Sequence, residues 1–153
     1  MSSTFLTFDF IGLFILIAGF ILGLGAVTVI DLHGFLGRKS QYWTEATTRT
    51  HKVTKPLIWA GISLVLIGGI LFHKNFSGLE LLHLILVSIL ILNGLFLSFR
   101  VSPFLLNREK DGKSSELLPN SWQNKITMSF IVSFLGWWGL VLLNCFLIVE
   151  RFS

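Results

Sequence analysis

Four long apolar stretches, separated by polar segments, dominate the pattern of hydrophobic and polar positions along the chain. They run from about Phe8 to Ile30, Pro56 to Phe72, Leu79 to Phe99 and Ile126 to Val149. A helix needs about 20 mostly apolar residues, at about 1.5 Å each, to cross the roughly 30 Å hydrocarbon core of a bilayer. The pattern therefore predicts an all-α integral membrane four-helix bundle, a single transmembrane domain over residues 1–153.

The polar segments between these stretches differ in character. The first, 31–55, contains the turn-like HGFLGRKS and then has no helix breaker before Pro56. In its second half, apolar and small residues recur at helical spacing, which predicts an interfacial helix in this loop that leads into the second span. The second segment, His73 to Gly78, is a short hairpin that makes spans two and three antiparallel neighbours. The third, 101–124, contains two prolines and the run NREKDGKSSE, so we expect a mobile loop.

Basic residues concentrate on one side of the predicted membrane. Ten of the 12 Lys and Arg residues lie in or beside the first and third polar segments, and the other two are Lys74 and Arg151. The positive-inside rule then puts both long loops in the cytoplasm and both termini outside, in the periplasm or the extracellular space. We expect a multi-pass protein of the plasma membrane whose partner is the lipid bilayer. The net charge of +4 needs no nucleic-acid partner, because loop orientation accounts for it.

Composition agrees with a membrane solvent. Hydrophobic residues make up 53% of the chain and charged residues 13%, which excludes a soluble domain of this size. The single cysteine, Cys145, lies inside the fourth apolar stretch and cannot form a disulfide within the chain. Its position predicts a small core residue.

Small residues recur on one face of three of the four spans. Lipid tails solvate apolar side chains as well as another helix does, so membrane helices associate where small residues let backbones approach. The stripes are Gly12, Gly19, Gly23 and Ala26 on the first span, Gly61 and Gly68 on the second, and Ser129, Ser133 and Gly136 on the fourth. We predict packing within the bundle. The alternative is that the stripes join copies in a homo-oligomer or subunits of a larger membrane complex.

Two amides and a tryptophan pair lie within the apolar spans. An amide in hydrocarbon needs a hydrogen-bond partner, so Asn93 and Asn144 are predicted to bond between helices. Asn144 lies at about the depth of His83, which predicts a bond between these two. Trp137 and Trp138 fall near mid-membrane, away from the interfacial belt, so at least one ring is expected to pack against another helix or a ligand.

Four histidines are the candidates for chemistry. His33 and His51 lie at the cytoplasmic boundary, whereas His73 and His83 flank the outer hairpin. Imidazoles on separate helices can hold haem b or a transition metal, so His33, His51 and His83 are candidate cofactor ligands. If the protein holds a metal, we predict the site at His33 and His51, with Asp31 orienting an imidazole. The alternatives are a site at His73 and His83, or histidines that only reach water or lipid headgroups.

No nucleotide-binding, hydrolase, metalloprotease or dithiol motif occurs, so no catalytic residue is predicted. The stretches GLGAVTVIDLHGFLGRKSQYWTEATTRTHKVTKPLIWAGISL, ILNGLFLSFRVSP and SFLGWWGL resemble a group of small prokaryotic four-helix membrane proteins. In layout, with a His at the end of one helix and a basic linker into the next, the chain also distantly resembles the copper-resistance and HemJ-type membrane families. Some members of these families handle haem or porphyrin. The resemblance implies the fold and the membrane location only.

Two functions from different classes follow from these observations. The first is a non-enzymatic scaffold or accessory subunit whose small-residue stripes and basic loops serve assembly. The second is a haem- or metal-binding redox protein that uses the histidines at the helix ends.

Overall fold

Every regular element in the described part of the chain is helical. The computed structural model describes residues 3–73 and 78–152, with side chains described for 9–73 and 78–150. The helices are α1 (Ser3–Leu36), α2 (Gln41–Phe72), α3 (Leu79–Phe96), α4 (Ser102–Lys110) and α5 (Asn120–Phe152), and a π-helical turn at Leu97–Val101 joins α3 to α4. Four stretches are long and apolar enough to cross a membrane: Asp9–Leu36, Gln41–Phe72, Leu79–Lys110 and Asn120–Glu150.

The four predicted spans are thus confirmed as four long apolar helices, and each extends further than hydropathy indicates. The residues of the expected interfacial helix form the first half of α2, which begins after the N-cap Ser40 and continues through Pro56. The interfacial location of that half remains a prediction. The predicted hairpin between spans two and three falls largely on 74–77, outside the described residues.

The third span does not end near Phe99 as the sequence predicts. The π-helical turn continues it directly into α4, where the N–H of Ser102 donates to the carbonyl of Leu97, five residues back. Pro103 lies in the first turn of α4, where a missing N–H is tolerated best. The wider turn before the proline explains why this residue does not break the helix.

The spans form a ring in which α1 packs on α2, α2 on α3, α3 on α5 and α5 on α1. We call the end that carries segments 37–40 and 111–119 the basic end, and the other end, where α2 finishes and α3 starts, the opposite end. The core between the helices includes the buried side chains of Leu16, Val65, Val87 and Leu140.

Glycines place the backbones of α1 and α2 in direct contact. A methyl group on Gly19 would lie 2.7 Å from the backbone nitrogen of Val65, and one on Gly61 would overlap the Cα of Gly23. Gly12 faces the backbone of Phe72 in the same way. The predicted packing of this stripe within the chain is confirmed. The two helices are antiparallel in these contacts, so each residue further along α1 lies level with the residue one position earlier in α2.

The tryptophan pair divides between the core and the outer surface. Trp137 is 1% exposed, lies against Gly23 and meets the Phe20 ring edge-on at 6.4 Å. Trp138 is 45% exposed. The expectation that one ring packs against another helix is confirmed. The core position predicted for Cys145 is wrong, because α5 turns this residue to the outer surface.

The segment between α4 and α5 is held by side chains. The Arg108 guanidinium donates to the carbonyls of Lys113 and Glu116 at 3.1 Å each and to that of Leu117 at 3.4 Å. Phe104 stacks on Trp122 with 3.9 Å between the ring centroids. The loop that the sequence predicts to be mobile is therefore tied to α4, and α4 is stacked on α5.

Candidate functional site

A cavity of about 100 Å³ lies between the spans near the basic end. Every span contributes to its wall. The lining residues come from α1 (Ile30, Asp31, Gly34, Phe35), α2 (Thr47, His51, Thr54, Lys55, Ile58, Trp59), the third span (Gly94, Leu97, Ser98, Val101, Leu105) and α5 (Ile126, Thr127, Ser129, Phe130). An apolar wall with a few converging polar groups is the usual form of a small-molecule site. This cavity is the candidate functional site.

Two opposite charges face the cavity without meeting each other. Asp31 and Lys55 both line it, and within the described residues neither side chain has a hydrogen bond or an ion pair. Continued from the contacts of Gly12 to Gly23 toward the basic end, the register of α1 against α2 puts Asp31 level with Val53, between His51 and Lys55. Along the helix axis Asp31 is therefore only about 3 Å from the level of either residue, at about 1.5 Å per residue. An acidic and a basic residue thus line one cavity at nearly the same depth.

The π-helical turn forms one wall of the cavity and is fixed by α2. The indole N–H of Trp59 donates to the Oγ of Ser98 at 3.1 Å, and His51 Nε2 lies 2.9 Å from the Oγ of Ser102. An ion pair of 2.7 Å between Lys52 and Glu109 adds a second link between α2 and α4. Turns of this type are frequent at functional sites. Here the turn carries Ser98 into the lining of the cavity.

The predicted metal-site residues do not all reach this cavity. Asp31 and His51 line it, whereas His33 is not among the lining residues and its ring lies 5.1 Å from the Trp43 ring. The Nδ1 atoms of His33 and His51 are both buried with no hydrogen bond. In residues 9–73 and 78–150, no group of three or more His, Cys, Asp or Glu side chains is placed to hold one metal ion. A metal site at His33 and His51 remains a prediction.

A second polar cluster lies at the opposite end. His83 is 0% exposed and Asn144 is 2% exposed. The amide nitrogen of Asn144 donates to His83 Nδ1 at 3.0 Å and to the carbonyl of Leu140 at 2.8 Å, so its oxygen accepts from His73 Nε2 at 3.2 Å. Glu80 lies 3.8 Å from the other nitrogen of His73. The predicted bond between Asn144 and His83 is confirmed.

His83 belongs to this cluster and cannot share a site with His51. Its Nε2 has no hydrogen bond within 3.5 Å and lies directly against Gly69, where a methyl group would have no room. Gly69 is 18 residues after His51 on α2, which corresponds to about 27 Å along the helix. The three candidate cofactor ligands therefore divide between the two ends of the bundle.

Between the two sites, an amide network joins α3 to α5. Asn93 donates to the carbonyl of Ser129 at 3.1 Å and to the Oγ of Ser133 at 2.9 Å, while the Ser129 hydroxyl donates back to Asn93 at 2.8 Å. This confirms the predicted interhelical role of Asn93. Because Ser129 also lines the cavity, the network adjoins the cavity wall.

Sequence reasoning missed Lys55, Trp59 and Ser98 as parts of this site. In the sequence Lys55 reads only as a basic loop residue, whereas the helix that carries it continues into the span. Trp59 and Ser98 each carry a polar group inside an apolar run. Like the amide of Asn93, such a group needs a hydrogen-bond partner on another helix, and this signal could have identified both residues. Comparison with protein-family models, with curated proteins and with solved structures found no match to the chain.

Proposed function

We propose that this protein is a non-enzymatic, multi-pass protein of the plasma membrane, an accessory or scaffold subunit that holds a small amphipathic molecule in the cavity at its basic end. The observation that carries the proposal is the cavity itself, whose wall takes residues from all four spans. A site built in this way couples occupancy to helix packing. The subunit can then respond to its ligand without a catalytic group.

The chemistry of the wall supports a ligand with both polar and apolar parts. Most lining side chains are aliphatic or aromatic, and the charged groups are Asp31 and Lys55, with His51 as an additional polar group. The cavity is smaller than the roughly 150 Å³ engineered cavity that binds benzene, so it accepts a small molecule or one part of a larger one.

Two glycines of α1 provide a matched test of ligand binding. A methyl group on Gly34 would meet only Ile126, at 3.8 Å, so the larger side chain of Gly34→Leu projects into the cavity that Gly34 lines. A methyl group on Gly25 would contact nothing within 4 Å, so Gly25→Leu adds the same side chain on the outer surface. Native mass spectrometry of the proteins extracted in mild detergent should find a bound small molecule in the wild type and in Gly25→Leu, but not in Gly34→Leu. An empty wild type, or equal occupancy in the two variants, would contradict the proposal.

The proposed orientation has both termini outside and the basic end in the cytoplasm. It rests on the concentration of Lys and Arg in the segments at that end. Single cysteines introduced as Ser2→Cys and Ser114→Cys, in a background with Cys145→Ser, test it in intact cells with a membrane-impermeant thiol reagent. The expected result is labelling of Ser2→Cys only. Labelling of Ser114→Cys alone would reverse the orientation.

Haem or metal binding is the second candidate, and one observation favours it. Among the described residues, the Nδ1 atoms of His33 and His51 are buried without a hydrogen bond, and such a nitrogen of a neutral imidazole is able to bind a metal. If a metal binds there, these imidazoles would supply the nitrogen ligands. An absorption spectrum of the purified protein together with metal analysis tests this candidate. A Soret band or a stoichiometric metal that is lost in His51→Ala and retained in His83→Ala would favour it over the first.

A further inference from the structure

We propose that the cavity at the basic end binds a zwitterion, a small molecule or headgroup that carries an ammonium group for Asp31, an oxyanion for Lys55 and a short apolar body. This inference rests on the proposed function, since it names the class of molecule that the cavity holds. It assigns a binding role to Lys55 and a charge-pairing role to Asp31.

The first step of the argument concerns the two charges. An ionised side chain within a helix bundle is costly unless a partner compensates it, and such residues usually pair with one another or face a substrate pathway. Asp31 and Lys55 line the same cavity, and neither has an ion pair in the described part of the chain. Their axial levels differ by only two residues in the register of α1 against α2. A ligand with both charges would compensate both groups at once.

The second step concerns the sum of the charges. Asp31 and Lys55 cancel, and the additional polar groups that line the cavity are neutral hydroxyls, an indole and the imidazole of His51. A lone cation would be repelled by Lys55 and a lone anion by Asp31. A ligand of no net charge that carries both signs matches the site better than either.

The third step concerns the remaining wall. Around the charges the cavity is lined by aliphatic and aromatic side chains, including Ile58, Leu97 and Phe130. These side chains give apolar surroundings to a body of a few carbon atoms, and a cavity of about 100 Å³ encloses only part of a larger ligand. The ligand class is therefore an apolar amino acid or an aminoethyl phosphate headgroup with the start of its lipid chain, which share the ammonium and oxyanion chemistry.

Two arms of one experiment separate these sources. In the soluble arm, the full-length protein in detergent is titrated with L-valine and, as matched probes, with isobutylamine and 3-methylbutanoate, each of which lacks one of the two charges. In the lipid arm, the protein is placed in nanodiscs of phosphatidylglycerol with or without phosphatidylethanolamine. Ligand-induced change in thermal unfolding temperature is the measurement. Stabilisation by valine but by neither matched probe indicates a free zwitterion, and stabilisation by phosphatidylethanolamine alone indicates the headgroup.

Charge-removing variants complete the test. Asp31→Asn and Lys55→Gln should each weaken binding of the active probe by about tenfold or more, the usual consequence of losing a hydrogen-bonded charge. Asp111→Asn and Lys110→Gln, which remove exposed charges at the same end, should leave it unchanged. The ligand-free unfolding temperature of Asp31→Asn should be equal to or higher than that of the wild type, because no ion pair of the described residues is lost and an uncompensated charge is removed.

Three outcomes would overturn the inference. No stabilisation in either arm is one, and equal affinity of the wild type, Asp31→Asn and Lys55→Gln is another. A lower ligand-free stability in both charge variants, relieved when they are combined, would show that the two side chains pair directly. If native mass spectrometry finds an uncharged molecule in the cavity, the inference fails while the proposed function stands. If native mass spectrometry finds no molecule bound to the wild type, both the inference and the proposed function fail.

Discussion

Replacing Gly61 with alanine tests whether direct backbone contact holds α1 against α2. The added methyl group would overlap the Cα of Gly23 and lie 3.0 Å from the carbonyl oxygen of Gly19. Backbone atoms cannot move aside as a flexible side chain can. The helices must therefore separate until the contact reaches the ordinary carbon–carbon distance of about 3.5–4.0 Å.

The magnitude follows from a matched comparison with Gly25→Ala. Both substitutions place alanine inside a long helix, so the gain in helix propensity of about 0.8–1.0 kcal/mol is common to both. Only Gly61→Ala overpacks the helix contact, which typically costs about 1–3 kcal/mol. Because the atoms that it meets belong to the backbone of α1, we expect a cost near the upper limit of that range. We expect Gly61→Ala to be less stable than Gly25→Ala by about 2–3 kcal/mol.

Unfolding with sodium dodecyl sulfate in mixed micelles, followed by far-ultraviolet circular dichroism, measures the free energy of unfolding of each variant. Stabilities of the two variants within about 0.5 kcal/mol of each other would refute the reasoning, because substitutions away from packing contacts usually fall in that range. That result would mean that the glycine stripe does not determine the distance between α1 and α2.

Three further predictions concern other contacts. Gly23→Leu should lower the thermal unfolding temperature more than Leu24→Ala, since its side chain would enter the space of a buried indole; equal values would contradict this. Asn144→Leu should cost about 1–3 kcal/mol because the two histidines that it bridges lose a partner, whereas Ser88→Ala, at an exposed hydroxyl bonded to its own helix, should be nearly neutral. Arg108→Met should speed cleavage between α4 and α5 by a glutamate-specific protease, and an unchanged rate would be inconsistent with the three carbonyl contacts.

The spans and many of their internal contacts could be predicted because each depends on a local property of the chain. Hydropathy identifies a span, and an amide in an apolar run must find a partner wherever the bundle supplies one. Asn93 and Asn144 illustrate this, since each bonds to a neighbouring helix. The glycine contacts follow in the same way from the spacing of small residues.

Helix ends were predicted less well because polar residues do not end a membrane helix. Hydropathy puts the start of the second span at Pro56 and the end of the third near Phe99, yet α2 begins well before Pro56, and a π-helical turn carries the third span past Phe99. A proline removes one hydrogen bond, and the many other backbone hydrogen bonds of a long helix keep it continuous. Hydropathy reports where lipid contact ends rather than where the helix ends.

The cavity could not be predicted because it depends on the spacing between helices. No single stretch contains it, and Asp31 and Lys55 lie 24 positions apart in the sequence. Their common depth follows only from the register of α1 against α2, which the glycine contacts set. From the sequence, Asp31 is predicted to act with His33, which is close to it along the chain. In the structure it lines a cavity with Lys55, which lies at a similar depth on α2.

The same pattern of side-chain sizes accounts for the location of the cavity. From Gly12 to Gly23, α1 presents glycine to α2 and the backbones touch. Nearer the basic end α1 presents Ile30, Asp31 and Phe35 instead, and side chains of that size hold the surrounding helices apart. The glycine contacts from Gly12 to Gly23 fix the positions of α1 and α2. The wider spacing of the helices near the basic end leaves space for a ligand. Substitutions at Gly34 should therefore change binding with little effect on stability, and substitutions at Gly61 should do the reverse.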